Sequence, residues 1–418
     1  MRRRLFAALA LAAFTTAAGM MPAGADPAQP SVVSANPVDY TPHIKDGTVW
    51  SAVVVGDTVV VGGNFTSVTD RTGKRTYPRR HVFAFGLRDG VVRDFAPQVD
   101  GPVYAVTAGA DGSVYLGGAF KAVNGVAQRG LGKVSLATGR NAAGFKAIIN
   151  WGDVRSLGLA GGRLYAGGTF TAINGVPRTA LARMNPATGA VDRGFDAKLS
   201  APGKDRARVE HFDISPDGRK LVAVGVILRA GVKDRTQLVM LDVAGPGAVV
   251  SDWYTDSFKP SCRQGFQTYM RQVKFSPDGS YFVVVTTGRE NHRQKLCDTA
   301  SRWETAGSGR RVPTWQNHTG GDSLYAVAVT GSAVYVGGHQ RWMNNPGGHE
   351  YAGPGAVSRE GIAALDPRTG RALPWNPGRD RGVGVRSFVS TSAGLLVGSD
   401  TTRLAGEYHG RIGLFPRP

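Results

Sequence analysis

The run Thr58-Val59-Val60-Val61-Gly62-Gly63-Asn64-Phe65 is an apolar, β-rich stretch broken by a glycine pair, and it comes back along the chain. Val114-Tyr115-Leu116-Gly117-Gly118-Ala119-Phe120 and Leu164-Tyr165-Ala166-Gly167-Gly168-Thr169-Phe170 repeat it closely. Val334-Tyr335-Val336-Gly337-Gly338-His339 and Leu395-Leu396-Val397-Gly398-Ser399-Asp400 are two further copies. The gap between the third and fourth copies holds two weaker ones, Lys220-Leu221-Val222-Ala223-Val224-Gly225 and Tyr281-Phe282-Val283-Val284-Val285. With Gly62, Gly117, Gly167, Val224, Val284, Gly337 and Gly398 taken as equivalent, the spacings are 55, 50, 57, 60, 53 and 61 residues. A fixed period of this length marks a repeat architecture.

Each unit reads as four short strands. The first is apolar, as in Val103-Tyr104-Ala105-Val106, and a turn such as Asp111-Gly112 or Gly161-Gly162 follows. Such pairs supply the backbone conformations a hairpin needs. The glycine-pair strand comes second, and its glycines point to a bulge or a close backbone approach. A polar loop leads to a third strand such as Leu181-Ala182-Arg183-Met184. A fourth carries one aromatic, Phe95, Phe145, Phe195, Trp253, Trp315 or Trp375, read as packing between sheets. Units of this kind cannot bury both faces alone and must stack; closed radially, they make a β-propeller. The expectation is an all-β chain, a seven-bladed β-propeller with four-stranded blades. Its last blade lacks a fourth strand, which the mature amino-terminal segment Val32 to Tyr40 supplies to close the ring.

Arg2, Arg3 and Arg4 precede the uncharged run Leu5 to Ala18, and Ala23-Gly24-Ala25 offers small residues for cleavage. Residues 1–25 therefore read as a signal peptide and 26–418 as one propeller domain of a secreted or cell-envelope protein. No second apolar run is long enough to span a bilayer, which argues against an integral membrane segment. The net charge is +19, and +16 once the three leader arginines are removed. Arginine outnumbers lysine by 38 to 12 with no long like-charge run, so composition is the simpler source of the charge. An anionic wall polymer or glycan is the alternative, and nucleic acid is a poor partner for an exported chain. Cys262 and Cys297, an isolated pair in an oxidising compartment, are expected to form a disulfide.

The pattern Gly-Gly-x-Phe-Thr/Lys-x-Val/Ile-Asn-Gly, at Gly117 to Gly125 and Gly167 to Gly175, resembles the delta-60 repeat. So does Asn185-Pro186-Ala187-Thr188-Gly189. Cys297-Asp298-Thr299-Ala300, Gly338 to Pro346, Gly398-Ser399-Asp400-Thr401 and Gly406 to Ile412 are similar to secreted actinobacterial proteins carrying such propellers. The resemblance implies the fold and leaves the function open.

In a propeller the loops between second and third strands share a face with the blade-to-blade connections, and loops on a rigid scaffold carry function. The loops of blades six and seven present His339, Trp342, Asp400, Glu407, Tyr408 and His409, with Arg386 beside them and Arg271 on blade five. These eight are the candidate ligand-binding residues. A second set, Trp50, Tyr104, Arg155, Glu210, Arg271, Tyr325 and Arg386, falls at one equivalent position of the first strands. It reads as an inter-blade packing layer with Glu210 paired to an arginine. The alternative is a ring at the funnel mouth suited to sugar stacking or to a carboxylate held by arginine forks. Catalytic motifs and close metal-ligand spacings are missing, so no metal and no cofactor is expected. The functional expectation is a monomeric binding module for an extracellular glycan, wall polymer or protein partner. The runner-up is a polysaccharide lyase or hydrolase built on His339, Arg386, Asp400, Tyr408 and His409. Asp46, Asp100 and Asp322, each just before a first strand, are read as turn-forming side chains.

Overall fold

The computed structural model describes residues 29–263, 265–290 and 293–418. The leader expected at 1–25 lies outside the described residues. Within them every regular element is a strand, and of thirteen antiparallel sheets the seven that carry the repeat strands follow one another along the chain. The first three are built from Val49–Val55, Thr58–Gly63 and Val82–Gly86; from Val103–Ala108, Ser113–Gly118 and Leu131–Ser135; and from Val154–Ala160, Arg163–Gly168 and Leu181–Met184. The fourth holds Arg208–Ile214, Lys220–Val226, Leu238–Asp242 and Val249–Val250, and the fifth Met270–Phe275, Tyr281–Thr286, Thr299–Glu304 and Trp315–His318. The sixth has Leu324–Val329, Val334–Gly338 and Ile362–Leu365, and the seventh Ser387–Thr391, Gly394–Gly398 and Ile412–Pro416.

The glycine pair does two different jobs. A Cβ on Gly117 would stand 2.8 Å from Val154 Cγ1 of the next sheet, and one on Gly118 would collide with the carbonyl of Pro102 in its own sheet. The first glycine thus lets adjacent sheets touch, and the second makes room for a bulge in the neighbouring first strand. That bulge recurs in the first six sheets, where the pairing register slips between Val49 and Ser51, Val103 and Ala105, Val154 and Ser156, Val209 and His211, Met270 and Gln272, and Leu324 and Ala326. The register also corrects one equivalence. Val285, paired with Gln272, occupies the first-glycine position in the fifth sheet, where the apolar run alone suggests Val284.

A fourth strand is present in the fourth and fifth sheets. In the first, second, third and sixth it shrinks to single bridges, Phe85 to Val92, Val134 to Asn141, Met184 to Val191 and Leu365 to Ala372. In the third and sixth sheets arginine side chains bind the carbonyls of these segments instead. Arg178 donates to Asp192 O (3.0 Å) and Arg193 O (2.8 Å), and Arg359 to Leu373 O (2.7 Å). Arg235 does the same for Ser251 O at 2.7 Å. A guanidinium carries several donors in a fixed fork, which a lysine cannot match. Part of the arginine excess is therefore structural.

The aromatic of each outer segment is buried, as expected, and three reach the neighbouring sheet through their indole N–H. Trp253 donates to Glu304 O, Trp315 to Pro367 O and Trp375 to Ser34 O, at 3.0, 2.9 and 3.0 Å. The segment around Ser34 runs beside the last strand, with Ser34 N bonded to Pro416 O (2.8 Å) and Val38 N to Leu414 O (2.9 Å). Core clusters accordingly straddle sheet boundaries: Val33 packs with Tyr335 and Trp375, and Val49 with Leu396 and Leu414.

Candidate functional site

The bulges decide where side chains go. In each of the first six sheets the residue passed over by the ladder is Trp50, Tyr104, Arg155, Glu210, Arg271 or Tyr325. Arg386 takes the matching place in the seventh, its N–H bonded to Gly398 O at 2.9 Å. Each first strand packs beside the first strand of the next sheet, and Ser387–Thr391 packs beside Val49–Val55. These seven side chains line one cavity of about 430 Å3, with contributions from the first strand of every sheet. That size lies within the range of small-molecule sites.

The strand edges facing the cavity would leave unpaired N–H groups, a costly state for buried backbone. Side chains of the preceding sheet cap several of them. Ser51 Oγ accepts from Val106 N (3.2 Å), Ser156 Oγ from Phe212 N (3.3 Å), Asp213 from Phe275 N (2.8 Å) and Gln272 from Val327 N (2.8 Å). His211, pushed down to about 3 by burial and by Lys274, is neutral and turns Nδ1 toward Val273 N.

The two sides of the cavity differ in charge pairing. Arg155 bridges Asp153 (3.1 Å) and Glu210, and Glu210 also takes Arg208 (2.6 Å). Burial alone would raise the Glu210 carboxyl, but Arg155, Arg208 and Arg271 outweigh it and hold the group below its ordinary range. Lys274 is paired with Asp213 at 2.9 Å. Arg271 and Arg386 have no such bridge among the described residues. Arg271 donates to the carbonyl of Met270 (2.8 Å) and lies 5.9 Å from the Tyr325 ring centre. Arg386 sits over Tyr325 at 3.9 Å and over Trp50 at 4.9 Å. Burial pushes both guanidiniums below the usual arginine range. Trp50 in turn meets Tyr104 edge to face at 5.5 Å.

Of the eight loop candidates, Arg271 and Arg386 line the cavity and the other six do not. His339 stands just behind it, edge-on to Tyr325 at 5.6 Å, its Nε2 accepting from Ser323 N (3.3 Å) and Nδ1 against Val383 O (3.2 Å). Asp400 is spent on backbone, accepting from Val383 N (2.6 Å) and Gly384 N (2.9 Å) while facing Arg379. Trp342 lies in the hairpin Trp342–Met343 with Val357–Ser358, beneath Arg341 at 4.7 Å. Glu407 and Tyr408 occupy the hairpin Arg403–Leu404 with Glu407–Tyr408, both exposed, Tyr408 edge-on to His43 at 4.7 Å. His409 is buried beside them, 3.4 Å from Thr41 Oγ1 and 3.5 Å from Glu407. His339 and Arg386 thus belong to the cavity region, while Tyr408 and His409 pack against the amino-terminal segment.

The acids before the first strands tether loops rather than shape their own turns. Asp46 accepts from Thr66 N (2.7 Å), Asp100 from Lys121 N (2.7 Å), and buried Asp322 from Arg341 N (3.1 Å) while bridging Arg341 and Arg381. Residue type alone does not reveal Lys274, His211 and Gln272 as cavity residues; the two-residue alternation after the bulge would have found them. The disulfide joins Cys262, before the first strand of the fifth sheet, to Cys297 in its second-to-third loop, with Cα atoms 5.8 Å apart. Among the described residues no group of three or more His, Cys, Asp or Glu is placed to hold a metal ion, and no helix is long and apolar enough to cross a membrane.

A family model described as "Domain of unknown function (DUF5122) beta-propeller" matches residues 162–195, from the second strand of the third sheet to its outer aromatic Phe195. No curated protein matches the chain. Among solved structures, the computationally designed Ika8 protein is similar at 12% identity and a TM-score of 0.48, covering 89% of this chain and 97% of that one. The WD40 β-propeller domain of Doa1 is similar at 11% identity and a TM-score of 0.49, covering 90% and 95%. The all-β sheets and the matched repeat support a β-propeller fold.

Proposed function

We propose that the chain is a secreted, seven-bladed propeller that serves as a binding module, with its ligand seated in the central cavity. The amino-terminal segment supplies the fourth strand of the last blade and so closes the ring. The two bonds from Ser34 and Val38 to the last strand support this closure. So does the packing of Ser387–Thr391 beside Val49–Val55. The observation that carries the functional reading is that bulge-position side chains of all seven sheets line one cavity. Six bulges aimed at one space, with Arg386 at the matching place of the seventh sheet, is an arrangement a purely structural ring does not need, since bulges re-aim side chains at some cost to the ladder. The partner is an extracellular glycan or wall polymer, or a protein presenting one residue to the cavity.

Glycan-array and cell-wall pull-down binding of residues 26–418 tests this reading. Arg386→Ala is expected to lose binding and Tyr408→Ala, on the exposed outer hairpin, to keep it. Equal loss in both variants, or no binding to any glycan or wall polymer, would overturn it.

A further inference from the structure

We infer that the cavity takes a carboxylate-bearing ring, of which an acidic sugar is the fitting example, with the carboxylate between Arg271 and Arg386 and the ring against Trp50 and Tyr104. This rests on the reading that the cavity is the binding site. The first argument is charge. Among the cavity residues and their direct salt-bridge partners, Arg155, Arg208, Arg271, Lys274 and Arg386 face only Asp153, Glu210 and Asp213. The surplus is localised, because the three carboxylates are all engaged on the side of the third to fifth sheets. Arg386, and Arg271 beyond its long-range attraction to Glu210, are left without a salt bridge among the described residues and with aromatic faces as neighbours, and a ring face attracts a cation without neutralising it.

The second argument is unmet hydrogen bonding. Arg386 Nε and Trp50 Nε1 are buried without a hydrogen-bond partner among the described residues. Both are donors, so the missing partner is an acceptor. Buried donors in native proteins are nearly always satisfied, and a carboxylate is the acceptor that fits an arginine fork. The third argument is shape. Trp50, Tyr104 and Tyr325 offer flat apolar faces around the same space, which a bare inorganic anion would leave unused. Glu210, Gln272 and Ser51, which also line the cavity, can meet hydroxyl groups.

Titration calorimetry of residues 26–418 with D-glucuronate, D-glucose and inorganic phosphate tests the inference. D-glucuronate is expected to bind about tenfold or more tighter than either competitor, the scale of a charge-assisted hydrogen-bond pair. Arg386→Gln and Arg271→Gln should each abolish that preference while leaving the melting temperature close to the parent's. Glucose binding as tightly as glucuronate, with both lost in Trp50→Ala, would overturn the anionic ligand and leave the cavity reading standing. Phosphate binding as tightly as glucuronate would overturn the ring. Glucuronate binding that survives Arg386→Gln, Arg271→Gln and Trp50→Ala together would overturn both the inference and the cavity site. No glucuronate binding would overturn the inference.

Discussion

Arg155 and Arg386 stand at the same bulge position of different sheets and meet opposite environments. Arg155 is locked between Asp153 and Glu210, and Glu210 is shared with Arg208. The Arg386 guanidinium faces aromatic rings and makes no salt bridge among the described residues. On the paired side, ionic contacts hold the geometry. On the other, Cys262–Cys297 joins the loops flanking the fifth sheet's first two strands, and the Arg271 guanidinium, held by the carbonyl of Met270, makes no salt bridge among the described residues. A repeated backbone device thus produces both a saturated wall, which contributes stability, and an unsaturated one, which is available to a ligand.

The largest expected effect removes this disulfide. Replacing both Cys262 and Cys297 by Ser opens a loop of 35 residues and should cost about 3–4 kcal/mol in the chain-entropy view, read as a lowered denaturation midpoint. A change under about 1 kcal/mol would show that packing alone holds this side. Next comes the paired wall. Glu210→Gln leaves Arg155, Arg208 and Arg271 facing one another and should cost about 2–4 kcal/mol. Because the folded Glu210 carboxyl lies below its unfolded value, its contribution is present above the unfolded pKa and is lost as pH falls through the folded one. The acid limb of the stability curve should flatten in Glu210→Gln, and an unchanged limb would remove Glu210 from the account.

Gly117→Ala tests the contact between the second and third sheets. Its methyl would press on Val154 Cγ1 at 2.8 Å, for an expected loss of about 1–3 kcal/mol in thermal unfolding. Arg386→Gln should have the smallest effect on stability, neutral or gaining up to about 1 kcal/mol, since it removes a half-buried charge without an ionic partner. A loss as large as that of Glu210→Gln would mean the two sides do not differ as described.

The glycine pair was legible because close approach forbids a Cβ, and that leaves a mark in the letters themselves. The one-residue slip from Val284 to Val285 arose where the glycines are replaced by Val285 and Thr286, and only the bulge fixes the register. Four full strands per repeat were less legible. Turn pairs mark where the last strand should run, but Arg178 and Arg359 take over its carbonyls and the ladder shortens to single bridges. The residue cluster in the loops of the last two sheets illustrates the remaining limit. Asp400 has the residue type of a functional acid, yet its oxygens are consumed by Val383 N and Gly384 N, which no spacing reveals. Equivalence of the seven bulge positions could be read from the repeat; that the seven face one cavity required the fold.

The most direct test of the central claim is a crystal structure of residues 26–418 soaked in D-glucuronate. The account predicts density in the central cavity, with the carboxylate within hydrogen-bond distance of Arg271 and Arg386. Density confined to the loops around Trp342 or Tyr408, with the cavity holding only water, would contradict it.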